Sequence, residues 1–187
     1  MENVIAAALA ARPKVELADP ALSAAAVVVP LFRLGDDLGA VFIRRTHTVE
    51  THKGQYAFPG GFAEQGDETL AATALREFEE ELGVAPHDVR LVGELDDIAT
   101  IYRVRISPFV GLIPHPYPFR PNPDEVDLVV ELALHRLAGP GVRTVEEIRG
   151  PSGTYRDVTF YRLDGHTIWG ATGTILDQLL LRLGLLE

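Results

Sequence analysis

Apolar positions recur along this chain with two different periods, and the change of period marks its elements. Ala24–Leu34 and Gly39–Arg44 are nearly continuous runs rich in Val, Phe and Ile, which predicts two strands joined by the polar turn Gly35-Asp36-Asp37. Gln55–Phe58 predicts a short strand before Pro59-Gly60-Gly61. From about Asp67 to Leu82 the period becomes helical. Ala71, Ala74, Leu75, Phe78 and Leu82 share one face, and Gly83 supplies a left-handed stop. Val89–Leu95, Arg103–Ile113, Val126–Leu134 and Tyr155–Leu163 predict further strands, and Ile168–Leu183 an amphipathic closing helix. Met1–Arg12 reads as an alanine-rich helix stopped by Pro13, and Thr144–Arg149 as a short helix or irregular stretch. Pro114–Pro123 carries five prolines and predicts an extended surface loop. Helices among strands predict a mixed β-sheet flanked by helices, an α/β or α+β sandwich. With no repeat or linker, residues 1–187 are expected to form one domain, residues 1–20 being a helical extension.

Composition narrows the function classes. Hydrophobic residues make up 47% and charged residues 24%, a globular profile. The chain has no cysteine, which excludes disulfides and thiolate metal sites and suits a reducing compartment. A net charge of −10 argues against a nucleic-acid partner. The apolar runs Ala21–Leu34 and Leu176–Leu186 are shorter than the roughly 18 residues of a membrane span. Glu2, with no basic residue before the alanine run, makes a poor signal peptide. A cytoplasmic location with no membrane partner is the expectation.

The candidate chemistry lies on the predicted helix after the glycines. Glu77, Glu80 and Glu81 fall at i, i+3 and i+4, so all three share one side, roughly 120° from the apolar stripe. Like charges held together repel, and either solvent or a cation must compensate them. Carboxylates are the preferred ligands of hard divalent ions such as Mg²⁺, which also bind substrate phosphates. Gly60 and Gly61 stand just before the helix, where a backbone without side chains can approach a ligand or simply turn.

These residues carry a family resemblance. Gly60–Val84 resembles the signature of the Nudix hydrolases: a Gly, five residues, an acid, seven residues, then Arg-Glu-U-x-Glu-Glu-x-Gly-U with U aliphatic or aromatic. Arg76–Val84, REFEEELGV, matches its second half without a gap. The first half departs, because eight residues rather than seven separate Asp67 from Arg76. That extra residue resembles the coenzyme A pyrophosphatase branch, as do Phe58-Pro59-Gly60-Gly61 and Ala72-Thr73-Ala74-Leu75-Arg76-Glu77. Upstream, Arg45, His52, Gly54 and Gln55 match a motif of that branch, whereas Glu50 stands where the branch has an arginine. Downstream, Asn122–Val126 and His166–Thr172 resemble it too, so the likeness runs over roughly residues 24 to 183.

The resemblance implies an α/β/α sandwich with residues 60–84 as the Nudix box. It also implies hydrolysis of the diphosphate of coenzyme A or an acyl derivative. Glu77, Glu80 and Glu81 are then the ligands of Mg²⁺ or Mn²⁺, and Arg76 orients a carboxylate or forms a surface ion pair. Glu125 is the candidate general base, with Glu131, Glu146 and Glu147 as alternatives. Arg44, Arg45 and Lys53, with Gly60 and Gly61, are the candidate substrate-binding residues; the three basic ones read equally as solvated strand-end charges. Asp67 and Glu64 are either further ligands or, for Asp67, a helix cap. His52 and Trp169 read as structural residues. Glu50 would repel a coenzyme A phosphate, and Tyr102, 18 residues after Val84, resembles dinucleoside polyphosphate hydrolases. Another nucleoside diphosphate derivative therefore stays open as substrate, as does a binding module without catalysis. The partner is in each case a small molecule, and the chain a monomer or homodimer.

Overall fold

The computed structural model describes residues 2–46, 54–150 and 153–186. His52, Lys53 and Glu50, three residues of the sequence reading, lie outside them. Helix α1 (Glu2–Ala10) precedes strands β1 (Ser23–Leu34) and β2 (Asp37–Arg45), whose turn places Gly35 at φ 63°. Then come β3 (Tyr56–Ala57), β4 (Gly60–Phe62) and helix α2 (Leu70–Leu82). Strands β5 (Arg90–Glu94), β6 (Ile98–Ala99), β7 (Val104–Leu112) and β8 (Val126–Ala133) follow, with the short helix α3 (Leu134–Leu137). The chain closes with β9 (Arg143–Gly150), β10 (Gly153–Leu163), β11 (His166–Trp169) and helix α4 (Gly170–Arg182).

The larger sheet is mixed. At its centre β1 runs parallel to β7 and antiparallel to β2 and β4. β2 also pairs with β3 and β8, and β7 with β5 and β6, all antiparallel. Its two faces bury different partners, as alternation along a strand requires. Ala26, Val28, Phe32, Val41 and Ile43 face α2 through Ala74, Phe78 and Leu82. Val29, Leu31 and Phe42 face the opposite layer, which holds Ile5 and Leu9 of α1, Tyr161 and Ile168 of the second sheet, and Ile175, Leu176, Leu179 and Leu180 of α4. Full burial of a side chain such as Phe78 stabilises by about 1.5–3 kcal/mol. The result is a mixed sheet flanked by helices on both faces.

Three readings of the sequence need correction. Thr144–Arg149 is neither helix nor irregular: it belongs to β9, the outer strand of a small antiparallel sheet ordered β11-β10-β9. The closing helix begins at Gly170, because His166–Trp169 pairs with Phe160–Leu163 as β11. Helix α2 begins at Leu70 rather than Asp67, since Thr69 is its N-cap and accepts from the Ala72 N–H at 3.1 Å. Its end matches expectation: Gly83 is left-handed at φ 67°, and its N–H reaches the Glu79 carbonyl.

The loop after α2 returns to the helix end. Arg120 and Asn122 donate their N–H groups to the carbonyls of Leu82 and Glu81, satisfying acceptors that a helix end leaves open. The chain then turns at Asn122, whose carbonyl accepts from the Glu125 N–H. The Glu125 carbonyl in turn accepts from Thr46, just past Arg45. Glu125 is thereby carried from a distant loop to the edge of the carboxylate helix. No helix among the described residues is long and apolar enough to cross a membrane.

Candidate active site

The three glutamates share a side of α2 but not an environment. Glu81 is 1% exposed, Glu77 16% and Glu80 56% at the side chain. Burial pushes the Glu81 carboxyl up to about 8, against the Gly60 N–H and Arg45, which favour its charged form. The neighbouring charges of Glu77 and Glu125 raise it further. Glu77 is raised as well, by burial first, and by Glu80 and Glu125 against the pull of Arg76. Glu77, Glu81 and Glu125 thus form one mutually repelling group at the mouth of the helix.

The two glycines shape the room these carboxylates occupy. Gly60 lies at φ 151°, and its N–H donates to Glu81 Oε2 at 3.0 Å. A Cβ there would stand 2.3 Å from the Ala26 carbonyl, so only glycine lets β4 approach β1 so closely. At Gly61 a Cβ would fall 2.4 Å from Glu77 Cδ and 2.5 and 2.6 Å from its oxygens. The Glu77 carboxylate therefore fills the place of a missing side chain.

Arg76 ties the loop to the helix. Its Nε and Nη2 donate to Asp67 at 3.1 and 3.2 Å, and Nη2 also donates to the Phe62 carbonyl. Its Nη1 donates to Glu77 Oε1 at 2.9 Å and Glu80 Oε2 at 3.1 Å. Asp67 accepts further from the Thr73 hydroxyl and the Glu64 N–H. Arg76, then that backbone bond, hold Asp67 well below the usual carboxylate range. Asp67 is therefore committed to the clamp and is not the helix cap, while the exposed Glu64 stands 4.0 Å from Arg76. Sequence reasoning missed Thr73 and the Phe62 carbonyl as parts of this clamp. Thr73 lies one turn before Arg76 and six residues after Asp67, a spacing that offered a signal.

The basic residues separate. Arg45 reaches Glu81, with Nη1 3.5 Å from Oε1, and its buried Nε has no hydrogen-bond partner among the described residues. Arg44, the preceding residue in β2, points to the opposite face as strand alternation demands. It pairs there with Asp127, at the point where β8 carries one extra residue. The structure does not bring Arg44 to the carboxylates, and Lys53 is outside the described residues. Of the alternative bases, Glu131 sits farther along β8 beside His115, and Glu146 is bonded to Arg162 and Thr144 in the second sheet. Glu147 lies on the same strand, β9. Trp169 is half-buried and stacked on Phe160, their centroids 5.6 Å apart, and Tyr102 is exposed.

The donor set fits a hard divalent cation. The side chains gathered here, Glu77, Glu81 and Glu125, are carboxylates, and Glu81 is a buried acid among negative neighbours that one N–H and one arginine only partly offset. Among the described residues no three His, Asp or Glu side chains already close on one point. Glu80 is engaged by Arg76 at the surface.

Comparison with known proteins agrees with this arrangement. Residues 22–142 match the NUDIX domain, a segment that holds the carboxylates, both glycines and the Arg76 clamp. A protein of Cronobacter sakazakii named "Uncharacterized Nudix hydrolase NudL" is 33% identical over 160 residues, 86% of this chain and 82% of its own. A MutT/nudix family protein from Enterococcus faecalis shares the fold with a TM-score of 0.59 at 18% identity, over 94% of this chain and 66% of its own. A C. elegans Ap4A hydrolase in a binary complex does so with a TM-score of 0.51 at 15% identity, over 59% and 80%. A buried carboxylate helix, a glycine notch cut to fit it and a matching family segment around both lead to one assignment: the chain belongs to the Nudix hydrolases and acts on diphosphate bonds.

Proposed function

We propose that this protein hydrolyses the diphosphate of coenzyme A or an acyl-CoA, giving 3′,5′-ADP and (acyl-)4′-phosphopantetheine. The observation that carries the substrate is the set of branch-like segments around one site: Phe58–Gly61, Asp67, and Ala72–Glu77 with its extra residue. Nudix hydrolases generally use divalent metals such as Mg²⁺ or Mn²⁺. Glu77, Glu80 and Glu81 would hold them here. When bound, such ions neutralise the diphosphate and acidify water in their shell.

The chain's own groups supply the rest. Gly60 and Gly61 fix Glu81 and Glu77, and Arg76 holds Glu77 while bonding Glu80 at the outer rim. Glu125 accepts the proton of the attacking water, whose oxygen adds to phosphorus as the bridging P–O bond breaks. Arg45, whose buried Nε has no partner among the described residues, contacts a phosphate oxygen, and Lys53 joins it. Arg44 enters only by leaving Asp127. A cytoplasmic location goes with this reading and with the absence of cysteine.

The test is a substrate panel with Mg²⁺ and Mn²⁺: coenzyme A, acetyl-CoA, NADH, ADP-ribose and dinucleoside polyphosphates. The proposal expects coenzyme A or acetyl-CoA to give the highest kcat/KM. Turnover of ADP-ribose or a dinucleoside polyphosphate about tenfold better, a 1.4 kcal/mol preference, would sink it. Glu50 and the exposed Tyr102 favour that second reading, hydrolysis of another nucleoside diphosphate derivative.

A further inference from the structure

We propose that Phe62 is the specificity platform of this site, its ring stacking on the base of the nucleoside diphosphate derivative that the α2 carboxylates help to cleave. This role rests on the reading that the substrate is such a nucleotide, whichever one it is. Phe62 directly follows Gly61 and closes β4, yet it is 58% exposed. An aromatic ring left in water is ready to gain from a ligand that covers it. The backbone beneath it is held firmly. Its carbonyl accepts from Arg76 Nη2 at 3.1 Å, while Nη1 of the same guanidinium grips Glu77 at 2.9 Å. Phe62 also stands in register with Ala25 of β1, and the Ala63 N–H just beyond bonds the Ala24 carbonyl. The ring is thus mounted on the clamp that orders the carboxylate helix, and a contact that sets specificity needs such a fixed support.

Strand alternation sets the direction of the ring. The missing side chain of Gly61 points at Glu77, so Phe62 points to the other face of β4. Its register puts it in one cross-strand row with Ala25 of β1, Ile106 of β7 and Ile98 of β6. Ile106 and Ile98 are only half-buried, as is Val27, which stands opposite Gly60 on the same face. An apolar row therefore leads away from Phe62, one strand's thickness from the carboxylates. Between the two faces β4 carries only Gly60 and Gly61, which have no side chain to stand in the way. A diphosphate held beside Glu77 and Glu81 can pass over them and set its nucleoside against Phe62. The base suits this ring better than an aliphatic arm does, because a flat π-system packs best on another, offset or edge-on.

Phe62→Ala should raise KM for the best substrate of the wild type by about 5- to 100-fold, the range that base–aromatic stacking gives on alanine substitution, with kcat within about threefold. Phe62→Tyr keeps a ring and should stay near wild type. Phe62→Leu keeps apolar bulk without a ring and should resemble alanine; if the alanine variant does not fold, the leucine and tyrosine variants carry the same comparison. Titration calorimetry in Mg²⁺ reads binding without turnover. AMP, which has no diphosphate to cleave, should bind Phe62→Ala more weakly by the same factor, while inorganic phosphate, which has no base, should bind both proteins alike. An active enzyme whose KM and AMP affinity do not change in Phe62→Ala overturns the stacking and leaves the functional reading standing. A KM that rises for coenzyme A while AMP affinity stays put overturns it too, because the ring then holds the pantetheine arm. A wild type that turns over no nucleoside diphosphate derivative overturns both.

Discussion

Replacing Gly61 by alanine isolates the geometry of the site from the stability of the fold. The new Cβ would lie 2.4 Å from Glu77 Cδ, where ordinary contact begins at 3.4 Å, so the carboxylate must retreat by about 1 Å. Gly61 is not among the residues with positive φ, so alanine strains no backbone there and lowers unfolded-chain entropy. Stability should therefore stay within about 1 kcal/mol of wild type. Activity should not, because a misplacement near 1 Å at a catalytic centre costs about a hundredfold in rate, or about 2.7 kcal/mol. The assay is steady-state kcat/KM on the best substrate at saturating Mg²⁺, with thermal denaturation alongside. Gly66→Ala is the control, since nothing lies within 4 Å of its Cβ position, and it should match wild type. A Gly61→Ala enzyme within about threefold of wild type, a difference under 1 kcal/mol, would refute the idea that the missing side chain makes room for Glu77.

The remaining predictions concern charge. Glu81 has its folded pKa raised from 4.5 to about 8, so the folded chain holds its proton more tightly than the unfolded one. Its contribution is fully present below pH 4.5 and is lost as pH rises through about 8. In EDTA the melting temperature should fall across that window; Glu81→Gln should flatten the fall and Mg²⁺ should reduce it, and an unchanged slope in both would count against the assignment. Asp67 is lowered, by Arg76 first, so its contribution is present above the ordinary 3.8 and lost as pH falls toward the folded value. Asp67→Asn should flatten the acid limb of a melting-temperature profile and lower activity by loosening Arg76. Arg45→Gln should raise KM by about 10- to 100-fold through a lost charged hydrogen bond worth about 1.5–3 kcal/mol, while Arg44→Gln stays near wild type. Equal effects of the two would contradict the opposite facing of these neighbours.

Much of the scaffold was legible because burial imposes a period. The stripe Ala74, Phe78 and Leu82 and the stop at Gly83 follow from packing one helix face on a sheet, and β1 and β2 from burial on both faces. β9 was not legible: its residues alternate between exposed and half-buried, so neither face carries an apolar signal. β11 was hidden because Ile168 and Trp169 extend the apolar positions of α4 toward the N-terminus, and its pairing with β10 separates them.

At the site, spacing placed Glu77, Glu80 and Glu81 on one side of the helix but could not rank their burial. That ranking depends on β4, which covers Glu81 and Glu77 and leaves Glu80 in solvent. The opposite facing of Arg44 and Arg45 was readable from strand alternation, whereas their adjacency in sequence suggested one basic island. Asp67 was ambiguous between ligand and cap until its bonds to Arg76, Thr73 and Glu64 assigned it to the clamp. The position of Glu125 rests on bonds from the proline-rich loop to the end of α2, which no local pattern encodes.

The central claim is that the glutamates of α2 hold the metal ions on which diphosphate hydrolysis depends. Its most direct test is the Mg²⁺ dependence of turnover in Glu81→Gln, a substitution that keeps size and preserves an acceptor for the Gly60 N–H. The account predicts a folded protein whose kcat/KM falls at least about a hundredfold, or about 2.7 kcal/mol, with weaker dependence on Mg²⁺. Wild-type turnover with an unchanged Mg²⁺ titration would contradict it.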